Sequence, residues 1–338
     1  MNRFVSYKIS WMTFICNIII LLHHANLRNY INQTSEHNLL VFMDFFSALS
    51  RIAMVWFFFI SAYLFFRTAD YKNIPIKWKS RAKSLLIPYI IWNTIAVLFM
   101  AINGSEVLYG GIWGGIRNNY LFLGGYGSAN GPLWYIFRLL EYVILAPLFL
   151  FIIKRKILFY IVEILLYAYI AIMHIGYFDF LFFVPIYLLG GYISKHYSKN
   201  FEIKIETEHN NAISIICLLS CVLLSLWAKS ISDINLIEMP VLEIVLRNLI
   251  IIPILGLLLY SGKPKALPNF IKNGGMLLYC MHDLFYRFFR IIFFRLNLDM
   301  WISWFLMVFL TIGCIYMIWI FLNKNCPRLL AVFVGGRL

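Results

Sequence analysis

FFSALSRIAMVWFFFISAYLFF, residues 45–66, holds a single charge, Arg51, among apolar, aromatic and small residues. Wound as an α-helix at 1.5 Å per residue it is about 33 Å long, which matches the hydrocarbon core of a bilayer. The chain then turns basic, with Arg67, Lys72, Lys77, Lys79, Arg81 and Lys83 before the next apolar run. An apolar run of that length followed by a cationic loop is the pattern of a membrane span that ends in the cytoplasm.

The same alternation extends in both directions. Apolar runs fall at 9–27, 45–66, 84–102, 132–153, 157–174, 178–194, 211–228, 240–260, 274–294 and 300–322. Within 157–194, His174–Asp179 makes a very short turn that could also belong to a re-entrant hairpin. Twenty Lys and Arg residues lie in the loops on one side of these runs, and three, Arg28, Arg117 and Lys229, on the other. Because cationic loops stay in the cytoplasm, this asymmetry puts both termini there. The expected fold class is an all-α integral membrane protein, a bundle of about ten transmembrane helices. It forms one domain over residues 1–338 with no soluble domain attached.

Composition agrees. Apolar residues make up 62% of the chain, charged residues 13%, and mean hydropathy is +0.80. A water-facing surface of ordinary size needs about twice that share of charge, so the expected partner is the lipid bilayer. The net charge of +14 would suggest nucleic acid in a soluble protein. Here the cations mark orientation, and no nucleic-acid partner is expected. The six Cys show neither CxxC nor His/Cys ligand spacing, which argues against a disulfide framework or a metal site. The first run ends in His23-His24-Ala25-Asn26 without a small-residue cleavage site, so it reads as a retained span.

Ionisable residues inside spans are unfavourable in lipid and are functional candidates by default. His23 and His24 close the first span, where an imidazole can take a proton from a hydroxyl near neutral pH. Equally, such a histidine can bond a headgroup or a backbone carbonyl. Trp134, Arg138 and Glu141 share one helical face, and Arg138 with Glu141 can neutralise each other as a purely structural pair. Glu243 and Arg247, and Asp283 and Arg287, repeat the i,i+4 device, while His282 is a second candidate for polar chemistry or substrate contact. The stretch Lys77–Lys83 fits either attraction to anionic lipid or a grip on a phosphate-rich ligand. Residues 28–44 and 103–131, the latter with Tyr109, Trp113, Tyr120 and Tyr126 among glycines, fit a sugar-stacking surface or an interfacial anchor.

Taken in order, these stretches resemble membrane acyltransferase family 3, the multi-span O-acyltransferases of envelope sugars. The resemblance rests on His24-Ala25, on Phe57–Phe66, on Arg81–Trp92, on Pro132-Leu133-Trp134-Tyr135 with Pro147, on Phe182–Tyr192 and on Tyr279–His282. It implies transfer of an acyl group, most often acetyl, from cytoplasmic acyl-CoA (acetyl-CoA) to a hydroxyl of an envelope polysaccharide or lipid-linked sugar acceptor. It makes His24 the general base with His23 as its alternative, and Arg81 and Lys83, with Lys79, the binding site for the coenzyme's phosphates. Trp134, Arg138, Glu141, His282 and Arg51 would line the central cavity. The sequence departs from the family where a basic residue usually stands eleven before the first-span histidine, since Thr13 is found there. The resemblance leaves open whether Lys8 or Arg51 substitutes in space. The rival readings are a transporter or flippase of an envelope glycolipid precursor and a catalytically inactive family member.

Overall fold

The apolar runs fold as helices. The computed structural model describes residues 3–30, 36–104, 111–121, 128–233, 240–262 and 265–336, and no strand occurs among them. In chain order the helices are α1 (Arg3–His24), α2 (His37–Phe66), α3 (Ile74–Arg81), α4 (Ile87–Ile102), α5 (Gly111–Asn119), α6 (Trp134–Ile144), α7 (Ala146–Ile153), α8 (Lys156–Ile172), α9 (Val184–His196), α10 (Ser198–Thr207), α11 (Asn211–Asp233), α12 (Pro240–Leu249), α13 (Ile251–Tyr260), α14 (Asn269–Asn273), α15 (Gly275–Arg295), α16 (Met300–Asn325) and α17 (Pro327–Phe333). A π turn, Ala82–Leu86, joins α3 to α4. Tyr109, Tyr126 and the side chain of Glu243 lie outside the described residues.

Each apolar run of the sequence overlaps one of these helices or a consecutive pair, although in the 178–194 run the helix begins only at Val184. Among the described residues, five stretches are long and apolar enough to cross a membrane: Arg3–Tyr30, His37–Phe66, Tyr71–Ile102, Asn211–Ser232 and Met300–Asn325. The pair Gly131–Ile144 and Ala146–Ile153, counted as one span, makes a sixth. The others are short, like α8 and α9, or interrupted by charge, like α15 with Asp283, Arg287 and Arg290. The protein is a multi-pass membrane protein whose described residues form helices and no strands.

Contacts divide the chain into two compact units. The first comprises Met1–His23, Leu40–Ile74 and Leu145–Leu267. Its centre is α2 against α9. In lipid, helices associate through close packing of small residues, and α9 supplies Gly190 and Gly191. A Cβ on Gly190 would lie 3.1 Å from the carbonyl carbon of Phe59, and one on Gly191 would meet the Phe66 ring at 2.9 Å. Phe58 stacks on Phe183 with centroids 4.3 Å apart, and Ser194 Oγ donates to the Tyr63 carbonyl at 2.8 Å. Where α2 ends, Arg67 grips Glu202 through Nε at 2.6 Å and Nη2 at 3.1 Å. The α8–α9 connection is a hairpin: His174 takes the left-handed backbone that turns the chain (φ 50°), and Phe159 stacks on Tyr192 at 4.0 Å. In α13, Gly256 admits the Cys217 side chain of α11, so that cysteine is a packing residue.

The second unit comprises His24–Leu39, Pro75–Ile144 and Pro268–Leu338. Trp78 of α3 donates its indole N–H to the Val143 carbonyl at 2.6 Å, and Tyr89 of α4 donates to the Tyr120 carbonyl at 2.8 Å. Here α15 packs along α16, and α17 returns against α4. Most residues singled out by the sequence for chemistry fall in this unit.

Candidate active site

α1 ends at its histidine pair, so the carbonyl of His24 lies at the negative end of the helix dipole, where a cation is favoured. Arg290 of α15 supplies that cation, its Nη2 donating to the His24 carbonyl at 2.8 Å. The His24 ring lies against His282, with centroids 5.2 Å apart and planes tilted by 45°.

His282 is 1% exposed. Its Nδ1 lies 3.1 Å from the carbonyl of Leu278, one turn back. A carbonyl only accepts, so in the neutral ring the proton sits on Nδ1 and Nε2 is left as an acceptor. That Nε2 is buried and makes no hydrogen bond. Tyr279 and Tyr286 flank the ring at 6.1 and 5.8 Å. Such an acceptor is suited to a hydroxyl or N–H brought in by a bound molecule, because a buried polar atom left unpaired is unfavourable by about 1–3 kcal/mol.

The segment before α6 is laid along α15. Asn130, fully buried, donates its amide to the Cys280 carbonyl at 2.8 Å, and its backbone N–H donates to Asn93 Oδ1 at 3.1 Å. Tyr279 Oη donates to the Pro132 carbonyl. Gly131 passes close to Asp283, whose carboxylate pairs with Arg287 at 2.8 Å. Asn130 Oδ1 is a second buried acceptor with no partner. His24 and His282 are thus flanked by amide, phenol and ion-pair groups carried on α4, the 128–133 segment and α15.

The structure distributes the remaining candidates as follows. Trp134 starts α6, buried, and Arg138 pairs with Glu141 at 2.6 Å, as the spacing allowed. Lys79, Arg81 and Lys83 sit on α3 and the π turn; Lys79 and Lys83 are exposed and Arg81 half-buried. In the first unit, Arg51 is buried and donates to the Ser47 carbonyl of its own helix at 3.1 Å, and Lys8 Nζ donates to the Leu259 carbonyl at 3.0 Å. Thr13 is engaged by the Trp56 indole N–H at 3.1 Å. His23 belongs to the first unit, whereas His24 opens the second. Among the described residues, no group of three or more His, Cys, Asp or Glu side chains could hold a metal.

Asn93, Asn130 and the Arg290 contact were not singled out from the sequence. The signal for Asn93 was an amide within an apolar span. Asn130 lies in a loop and gave none, since only folding laid it against α15.

A membrane protein, helical and without strands among its described residues, in which the rings of His24 and His282, amides and charges gather around α15 is defined, at this level, as a multi-pass membrane protein with a buried polar site. Comparison makes that specific: residues 7–320 match acyltransferase family 3, described as an acyltransferase domain, and the chain belongs to that family. It is a membrane acyltransferase. No curated protein and no solved structure matches the chain.

Proposed function

We propose that the protein transfers an acyl group, most simply acetyl, from cytoplasmic acyl-CoA to a hydroxyl of an envelope polysaccharide or lipid-linked sugar. It does so within the cell's inner membrane, as a bundle of about ten crossings with both termini cytoplasmic. The twenty-to-three distribution of loop cations supports that orientation.

His24 acts as the general base. A ring nitrogen takes the proton of the acceptor hydroxyl as its oxygen attacks the thioester carbonyl carbon. The carbon–sulfur bond then breaks, and the imidazolium returns the proton to the departing thiolate. General-base assistance of this kind is worth about a hundred- to ten-thousandfold. The observation that carries the reading is the pairing of the His24 ring with His282, whose buried Nε2 is free to accept from the sugar. His23, the neighbouring position, points about 100° away around the helix. Arg81 and Lys83, with Lys79, hold the coenzyme's phosphates. Trp134 and the Arg138–Glu141 pair line the path between donor and acceptor.

Thr13 favours a second reading, a catalytically inactive family member. The position carries a neutral hydroxyl held by Trp56 where a cation is usual, and Lys8 and Arg51 bond to backbone carbonyls. Coenzyme-A-dependent acyl labelling of membrane glycans, compared between intact and deletion strains, tests both. Loss of an acyl mark on deletion, restored by the wild-type chain and not by His24→Ala, is the expected result. An unchanged glycan would overturn the enzymatic reading.

A further inference from the structure

The C-terminal segment of the chain lies beyond the residues that match the family, yet it is seated on the basic turn between α3 and α4. α17 ends in a Schellman arrangement. Gly335 takes a left-handed backbone (φ 68°), its N–H reaches the Val332 carbonyl at 3.3 Å, and the Gly336 N–H reaches the Ala331 carbonyl at 2.6 Å. This sharp stop aims Gly335 at Ser84. A Cβ built on Gly335 would lie 2.7 Å from the Ser84 Cα and would also strike its carbonyl. The neighbouring residue is held as well: Trp92 of α4 donates to the Phe333 carbonyl at 3.2 Å, and the two rings lie 5.3 Å apart. Leu330 and Val334 are fully buried.

Ser84 is the middle residue of the π turn, in which the Ile87 N–H bonds the Ala82 carbonyl five residues back. Such wide turns hold one residue more than an α turn and recur at functional sites. If the turn tightened to α geometry, everything before it would slip by one residue, about 100° around the axis. Arg81 and Lys83 both lie on the N-terminal side of Ser84, so the slip would carry both cations to a different face.

We propose that the segment Pro327–Gly336 is part of the donor-binding apparatus. Gly335, pressed on Ser84, is a positioning residue that keeps the π turn open and so presents Arg81 and Lys83 to the phosphates of coenzyme A. The inference rests on the donor site proposed above. It adds a requirement that the site does not itself imply, namely a glycine at position 335.

The test is coenzyme A binding by the purified full-length chain in detergent, with the thermal midpoint measured alongside. The wild type binds; Gly335→Val, its midpoint lowered by the clash with Ser84 and the left-handed backbone, weakens binding at least tenfold at temperatures where it is still folded. Gly335→Asn behaves like Gly335→Val: asparagine tolerates the left-handed backbone, but its Cβ still meets Ser84. Gly313→Ala, on α16 with open space around it, binds like the wild type. In turnover, the KM for the acyl donor rises while the KM for the acceptor stays put. If the position-335 variants do not fold, Trp92→Phe decides, because it keeps a ring but removes the bond to Phe333; several-fold weaker binding is expected. Wild-type affinity in the folded variants overturns the inference while the donor site stands. Failure of the wild type to bind coenzyme A overturns the donor site and the inference with it.

Discussion

The imidazoles of His24 and His282 lie 5.2 Å apart, centroid to centroid, although they are separated by most of the chain. The structure holds the two residues by different bonds. Through Nδ1, His282 is committed to the Leu278 carbonyl, whereas His24 is held through its backbone by Arg290.

Replacing His24 with Ala is therefore expected to lower acyl transfer by about a hundredfold or more. His23→Ala should change it by no more than a few-fold. Initial rates with purified protein check both, and full activity in His24→Ala would remove the general base.

His282→Phe keeps an aromatic ring of similar size and deletes the Nε2 acceptor. Transfer should fall at least about tenfold, the order of one lost hydrogen bond to substrate, with the thermal midpoint preserved. A variant as active as the wild type would exclude His282 from substrate contact.

Arg290→Ala leaves the carbonyl that ends α1 without its cation. A hydrogen bond to a charged group contributes about 1.5–3 kcal/mol, and unfolding measurements should detect that loss. Arg290→Lys, which can still donate, should recover part of it. Identical stability in wild type and Arg290→Ala would show that the contact is unimportant.

Gly190→Val tests the packing of α9 on α2. The side chain must displace the Phe59 backbone, not a flexible tip, so a loss of at least about 2 kcal/mol is expected. Undiminished yield and thermal midpoint would refute that account of the crossing.

Asp70 supplies a pH signature outside the membrane spans. Its carboxylate accepts a hydrogen bond from the Lys154 ammonium at 2.7 Å, aided by the Tyr71 backbone N–H, and is held below its ordinary value of 3.8. A depressed carboxyl stabilises the fold above its unfolded pKa and loses that contribution as pH falls through the folded one. The small stability difference between wild type and Asp70→Asn should therefore be constant near neutrality and vanish in acid. A difference that grows on acidification would contradict the pairing.

By itself, the sequence determined the class of solvent and the helical architecture. Long apolar runs with few charges cannot be covered in water, and in lipid a backbone without neighbours must satisfy its own hydrogen bonds, which makes each run a helix. It also placed the Arg138–Glu141 and Asp283–Arg287 pairs, because i,i+3 and i,i+4 neighbours are set by helix pitch alone. Arg67–Glu202 and Lys154–Asp70 are long-range, and no local period predicts them. The ordered motifs carried the resemblance to the family, but not the fact that two of them, Phe57–Phe66 and Phe182–Tyr192, pack on one another, with Gly190 against Phe59. Between the two adjacent histidines the residues alone left the choice open, and only the resemblance to the family favoured His24. Only the fold brought His282 to the ring of His24 and Arg290 to its carbonyl, since which residues of α15 meet the end of α1 depends on how the helices pack, a property no single span carries.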